Sequence, residues 1–315
     1  MSLRAALGTR PVIYEIVPPR KDTSRFNTEL KGVEEVLDDR RIVAINIPEL
    51  INRVERKDEG VLCYSPTTIP PEEYAMMVKE RKEPIVNIVV PRMKREDFLR
   101  RARKVVHDYE IPNLILVGKE RHGDRLPGPG VLEAFEMLKG EKRNHLTLGG
   151  ICIFDRETLA GADYGMREGG TLSESRRVLL KARSGCDFIT SQITFDSEPA
   201  LRFLSTYQRL CHKTGMKPLT VFISLATVPS TRILSLLESL DVVFPRAVQK
   251  RLRGSSDMGS ESLRIETEVF EEVVEGVKRE GIRVPLALQI DQVGVSNGEL
   301  SLDLLDSIYP ILITA

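Results

Sequence analysis

A few polar side chains stand where their neighbours are apolar, and their types define the chemistry open to this chain. Glu15 lies inside a short strand pattern, residues 11–17, which Pro18 and Pro19 end because proline has no N–H to give to a ladder. Alternation sends Ile13, Glu15 and Val17 to one face and Val12, Tyr14 and Ile16 to the other. A carboxyl group on a strand buried on both faces is either an ion-paired structural glutamate or an acid whose perturbed proton is held for transfer. Gln192 sits near the end of the apolar, β-branched run 188–193, which passes through Phe195, Asp196 and Ser197 straight into a helical pattern. That is a buried parallel strand delivering one amide, able both to donate and to accept, to a site. Glu174 and Lys181 are two helical turns apart on an amphipathic segment and share a face. Their spacing suits a surface salt bridge as well as a ligand site. Asn46 is the odd polar residue of the strand pattern 42–47.

The elements that must position these residues alternate along the chain. Strand patterns fall at 11–17, 42–47, 85–90, 113–117, 146–154, 188–193, 218–225 and 286–293. Helical patterns fall at 24–38, 70–82, 95–108, 131–138, around Glu174 and Lys181, and at 198–214, 231–239, 261–280 and 300–312. Residues 52–71 read as irregular, and 118–130 and 155–171 as long Gly-rich loops of the kind that carry sites. The Arg and Lys residues of 95–108 are expected to form a solvated face. No composition shift marks a linker. The expectation is α/β architecture: one (β/α)8 TIM barrel domain over residues 1–315, with extra helices between strands seven and eight. Working residues of such a barrel lie at the carboxyl ends of its strands. Asn46, Glu120, Gln192 and Asp196 fall there, and Glu15 lies deeper.

Composition narrows the partners. The 315 residues carry 46 basic and 46 acidic side chains, so no net charge is left for nucleic acid, and 41% hydrophobic content is ample for a large core. Dense mixed charge suggests surface ion-pair networks. The opening MSLRAALGTR lacks the apolar run of a signal peptide, and no stretch is long and apolar enough for a membrane span. Cys63, Cys152, Cys186 and Cys211 are too scattered for a zinc or redox motif and are expected to be reduced core thiols of a cytoplasmic protein. The four histidines, His107, His122, His145 and His212, show no paired ligand spacing, so no metal is expected. The glycines of 118–130 match neither phosphate-binding pattern.

Two separated motifs, in order, resemble the methylenetetrahydrofolate reductase family. The first is Tyr14-Glu15-Ile16-Val17-Pro18-Pro19-Arg20; the second combines Glu174 and Lys181 with Gly185-Cys186-Asp187-Phe188, Ser191-Gln192, Phe195-Asp196 and Arg202-Phe203. The resemblance implies a flavoprotein oxidoreductase of one-carbon metabolism. FAD, or FMN, would pass hydride to 5,10-methylenetetrahydrofolate, or to a related pterin such as a methylene-tetrahydromethanopterin, giving the 5-methyl form used in methionine biosynthesis. It implies Glu15 as the general acid, Gln192 on the pterin with Phe195 beside it, Glu120 as the catalytic acid next to the flavin, and Asn46, Phe154, Glu174 and Lys181 around the cofactor.

Departures from the family pattern bear on the flavin side. Gly118-Lys119-Glu120 replaces arg-gly-asp, Ile88-Val89-Val90-Pro91 replaces his-leu-thr, Phe154 replaces a tyrosine, and Ser230 replaces a stacking phenylalanine. The electron donor expected is therefore NADH or NADPH, reduced ferredoxin, a deazaflavin, or a partner electron-transfer protein, and a homo-oligomer is expected. A flavin-free pterin-binding or methyl-transfer component of a one-carbon complex is the alternative. A flavin barrel acting on a cyclic amine is disfavoured by Glu15 paired with Gln192.

Overall fold

Eight parallel strands close on themselves in the computed structural model, which describes residues 2–20, 33–54, 63–66, 68–118, 126–140, 146–160, 172–294 and 297–314. They are β1 (Val12–Ile16), β2 (Ile42–Ile47), β3 (Glu83–Val89), β4 (Asn113–Val117), β5 (Thr147–Cys152), β6 (Phe188–Ser191), β7 (Thr220–Leu225) and β8 (Leu286–Gln292). Each pairs with its sequence neighbour, and β8 returns to β1.

The helices are α1 (Leu3–Ala6), α2 (Glu34–Asp38), α3 (Pro71–Val78), α4 (Arg95–Arg103), α5 (Val131–Leu138), α6 (Asp155–Ala160), α7 (Glu174–Ser184), α8 (Ser197–Thr214), α9 (Thr231–Ser239), α10 (Arg246–Gly254), α11 (Met258–Glu280) and α12 (Gly298–Thr314). The (β/α)8 barrel expected from the alternation is present, with added helices between β7 and β8. Among these, α10 was not anticipated, because its short, charged segment buries only Val248 and Leu252, one turn apart.

Three further differences concern irregular segments. Ile51–Val54 and Cys63–Pro66 form an antiparallel ribbon where irregular chain is expected, and α6 begins inside the anticipated loop 155–171. The helix expected at 95–108 becomes α4 followed by a π turn, Lys104–Asp108. Its Arg101 is not solvated: it bridges Glu49 (2.6 Å) and Glu72 (2.8 Å), tying the end of β2 to α3.

Strand alternation creates two cores. Outward residues such as Tyr14, Ile45, Ile88, Leu116, Leu148, Ile189, Ile223 and Ile290 pack under the helices. Inside the barrel, Ile13, Ala44, Ile85, Ile115, Phe188, Phe222 and Ala287 form a second cluster, joined by Leu3 of α1. Gly149 takes the β5 place in that layer; a Cβ there would lie 2.4 Å from Cζ of Phe188, so its absence makes room for the ring that fills the centre. Gly185, at φ 112°, adopts the left-handed turn that ends α7 and starts the approach to β6.

Among the described residues no helix is long and apolar enough to cross a membrane. Cys152, Cys186 and Cys211 are buried thiols outside any disulfide.

Candidate functional site at the carboxyl end of the barrel

Two residues beyond each apolar interior residue, the same face of the barrel becomes polar. Ile13 is followed by Glu15, Ala44 by Asn46, Ile85 by Asn87, Phe188 by Thr190, Phe222 by Ser224 and Ala287 by Gln289; only β4 and β5 continue apolar, with Val117 and Ile151. Asn46, Asn87, Thr190, Ser224 and Gln289 are each at most 5% exposed. Among the described residues, each leaves one side-chain oxygen without a hydrogen bond. A buried polar atom without a partner costs about 1–3 kcal/mol, and five of them in one ring point to a polar occupant of the barrel mouth.

Glu15 stands at the centre of the most charged part of this ring. It is in register with Asn46 on β2 and with Asp291 on β8. Nδ2 of Asn46 donates to Oε2 of Glu15 at 2.8 Å, and Nε2 of Gln289 donates to Oδ1 of Asp291 at 2.6 Å. Removal from bulk water, and secondly the neighbouring Asp291, hold the Glu15 carboxyl well above the ordinary carboxylate range, against the opposing hydrogen bond from Asn46. Burial likewise pushes Asp291 up to about 7, with the Gln289 bond opposing. A third acid, Glu266 of α11, is fully buried; desolvation first, and Asp291 with it, raises its carboxyl too. Its Oε1 accepts from the Ala226 amide at 3.2 Å, and Ser262 one turn earlier accepts from Val228 at 2.8 Å, so α11 fixes the chain that leaves β7.

Beside the ring a cleft of about 990 Å³ opens over β2 to β6. Its floor includes Asn87, Val117 and Ile151, so it stands over the apolar arc of the barrel. Gln192, Glu174 and Lys181 all line it. Nε2 of Gln192 donates to the Leu240 carbonyl at 3.1 Å, across to the chain that follows α9. Glu174 and Lys181 do share a face, with Nζ 3.8 Å from Oε1, but this is no surface pair: Glu174 is 1% exposed. Arg156 and Arg177 also approach its Oε2, at 4.0 and 3.8 Å, and Lys181 donates to the Ile151 carbonyl. The wall therefore carries three cations around one buried carboxylate.

The remaining expected site residues lie elsewhere. Glu15 and Asn46 belong to the ring and are not among the cleft-lining residues. Phe154 packs on Phe203 with centroids 5.1 Å apart, and Phe195 on Phe244 at 4.3 Å, both in the core. Asp196 and Ser230 cap α8 and α9, accepting from the amides of Glu198 and Ile233. Glu120 lies outside the described residues.

Asp291, Glu266, Asn87, Ser224 and Gln289 were not singled out from sequence. Each had a signal: a polar residue two, or for Asp291 four, beyond an interior apolar one on a strand, or, for Glu266, an acid on the apolar stripe of a helix that also carries Ser262, Val269 and Val273. Among the described residues no group of His, Cys, Asp and Glu is placed to hold a metal ion.

Fold and site together define a (β/α)8 barrel with a ring of buried polar side chains, and a cleft beside it, at the carboxyl ends of its strands. No protein-family model and no curated protein matches the chain. A solved structure, an uncharacterized protein from Clostridium thermocellum that binds two copies of 5-methyl-5,6,7,8-tetrahydrofolic acid, superposes with a TM-score of 0.75 over 96% of this chain and 95% of that one, at 21% identity. At that identity the likeness establishes the shared fold.

Proposed function

We propose that this protein binds a reduced folate with its pterin ring in the barrel mouth and catalyses reduction of the methylene form to the 5-methyl form. The observation that carries the reading is the ring of buried side chains with unpartnered atoms at Asn46, Asn87, Thr190, Ser224 and Gln289. A pterin has donors and acceptors around much of a flat heterocycle, which complements a mouth polar from β6 round to β3 and apolar at Val117 and Ile151. The folate-binding barrel of the same fold supports that choice of ligand.

The cleft beside the ring suits a second planar group with an anionic tail. Arg156, Arg177 and Lys181 would hold phosphates, and Oε2 of Glu174, which accepts no hydrogen bond, would accept one from a ribose hydroxyl. A flavin bound there would supply the hydride. The chain's own residues do the rest. Asn46 fixes one oxygen of Glu15, and removal from bulk water with Asp291 alongside raises that carboxyl well above the ordinary carboxylate range, which favours its protonated, proton-donating form. Glu15 gives this proton to the imidazolidine nitrogen whose bond to the methylene carbon breaks, leaving the iminium that accepts hydride. Gln192, at the junction of ring and cleft, would hold the pterin edge once it releases Leu240.

The test is anaerobic mixing of the flavin-loaded, reduced protein with methylenetetrahydrofolate. Flavin oxidation with formation of 5-methyltetrahydrofolate is expected. A colourless protein that takes up no flavin, yet binds 5-methyltetrahydrofolate, would instead establish the second reading, a flavin-free folate-binding or methyl-transfer component. That reading is favoured by the two copies of 5-methyl-5,6,7,8-tetrahydrofolic acid that the similar barrel binds.

A further inference from the structure

We propose that Glu15 and Asp291 form one unit that holds a single exchangeable proton at the barrel mouth, with Asp291 the positioning residue that keeps this proton on the pair. The inference rests on the reading of Glu15 as the acid, and it adds a partner that the reductase resemblance did not supply.

The geometry is that of two neighbouring interior positions. Glu15 and Asp291 are register partners on adjacent parallel strands, which run about 4.8 Å apart, and both follow interior residues, Ile13 and Ala287, by an even number of positions. Their side chains therefore enter the same part of the mouth. Each carboxyl has one oxygen fixed by an amide: Oε2 of Glu15 by Asn46 and Oδ1 of Asp291 by Gln289. Among the described residues, Oε1 of Glu15 and Oδ2 of Asp291 accept no such bond.

The charged groups that act on the pair are acidic. From β1 and β8 they are Glu15 and Asp291 themselves; from α11 it is Glu266, whose other neighbour is the Ala226 amide. The Tyr14 phenol points to the helix side, where it donates to Gln292, and burial holds it un-ionised. With no cation brought to either carboxyl by the described residues, ionising both would place two like charges on neighbouring positions, the half-buried Glu15 and the buried Asp291, so one proton stays. When a ring nitrogen takes that proton, an O–H bond breaks, an N–H bond forms, and the pair is left doubly ionised until solvent returns a proton.

The test needs no ligand, which separates it from the folate reading. The infrared carbonyl band of protonated carboxyl groups is followed against pH for the full chain in a Glu266→Gln background, which removes the third acid. The pair should lose its last proton well above the ordinary carboxylate range. In Asp291→Asn the band that remains, from Glu15, should titrate at least one pH unit lower, because its like-charged neighbour is gone. In Glu15→Gln the Asp291 band should move down as well, and the double variant should lose the part of the band that persists above the ordinary carboxylate range. Asp291→Ala serves for the same comparison if Asp291→Asn does not fold. Overturning results are an unchanged Glu15 midpoint in both Asp291 variants, or two protons lost in the wild-type pair at the ordinary carboxylate pH. If the titration behaves as expected and folate fails to bind, the pair stands and the folate reading falls.

Discussion

The Gln192 side chain donates to the Leu240 carbonyl at 3.1 Å, so the amide assigned to the pterin is tied to the rim of the cleft. The rim is held in an unusual backbone: Asp241, next in sequence, has φ 61° without being glycine. A ligand that takes Gln192 must release this rim. Amide hydrogen exchange over residues 240–243 is therefore expected to rise when 5-methyltetrahydrofolate binds and to rise without ligand in Gln192→Ala. Identical exchange in all these states would mean that Gln192 keeps its partner and does not reach the ligand.

Asp291 should make the folded protein pH-sensitive. Its carboxyl moves from an ordinary 3.8 to about 7 on folding. The folded state therefore binds more protons than the unfolded one across that window, and stability falls as pH rises through it. Relative to wild type, Asp291→Asn should gain little below pH about 4 and up to about 4 kcal/mol above pH about 7. Denaturant melts at several pH values measure it. A constant difference between the two proteins would show that Asp291 is not the titrating group.

Glu15→Gln keeps the size of the side chain and can still accept the Asn46 bond, but it has no acidic proton. Rate loss of about 10²-fold or more in methylene reduction is expected, with folate and flavin affinity within a few-fold of wild type. Stopped-flow reduction and equilibrium binding read the two separately. A variant of normal rate would make Glu15 a structural carboxyl.

Lys181→Gln removes one of three cations from the cleft wall and one partner of the buried Glu174. Flavin affinity, read by fluorescence titration, should fall by about tenfold or more, the worth of one charged hydrogen bond. Folate affinity should not change, since Lys181 lies in the cleft and not in the ring.

Gly149→Ala tests the packing that supports the ring. The added Cβ would meet Phe188 at 2.4 Å and Ile115 at 2.8 Å, both in the apolar layer beneath the polar one. A loss of about 1–3 kcal/mol is expected from overpacking, measured by denaturant unfolding. Unchanged stability would place Phe188 away from the barrel centre.

The barrel was legible because each strand pattern is a short apolar run set between helical ones, and closure needs nothing further. Glu15 and Gln192 were legible for a local reason: each is a strongly polar residue inside an apolar run. Asp291 carries the same signal, but its meaning depends on β1 and β8 meeting, a contact made only when the barrel closes. Nothing near Asp291 in sequence points to Glu15. Glu174 and Lys181 were placed on one face by helical spacing, whereas the burial of Glu174 and the approach of Arg156 come from the packing of α6 and α7. Phe154 and Phe195 show the reverse case, aromatic residues of a recognisable motif that the fold spends on core contacts.

The central claim is that the polar ring receives a reduced folate, and calorimetric titration with 5-methyltetrahydrofolate tests it most directly. The full chain would be compared with Ser224→Ala and Asn46→Ala, which delete ring groups that bear unpartnered atoms. Saturable binding to the wild type, weakened about tenfold by either substitution with the fold intact, is expected from the loss of one buried hydrogen bond. No binding to the wild type, or equal affinity in all three proteins, would contradict the account.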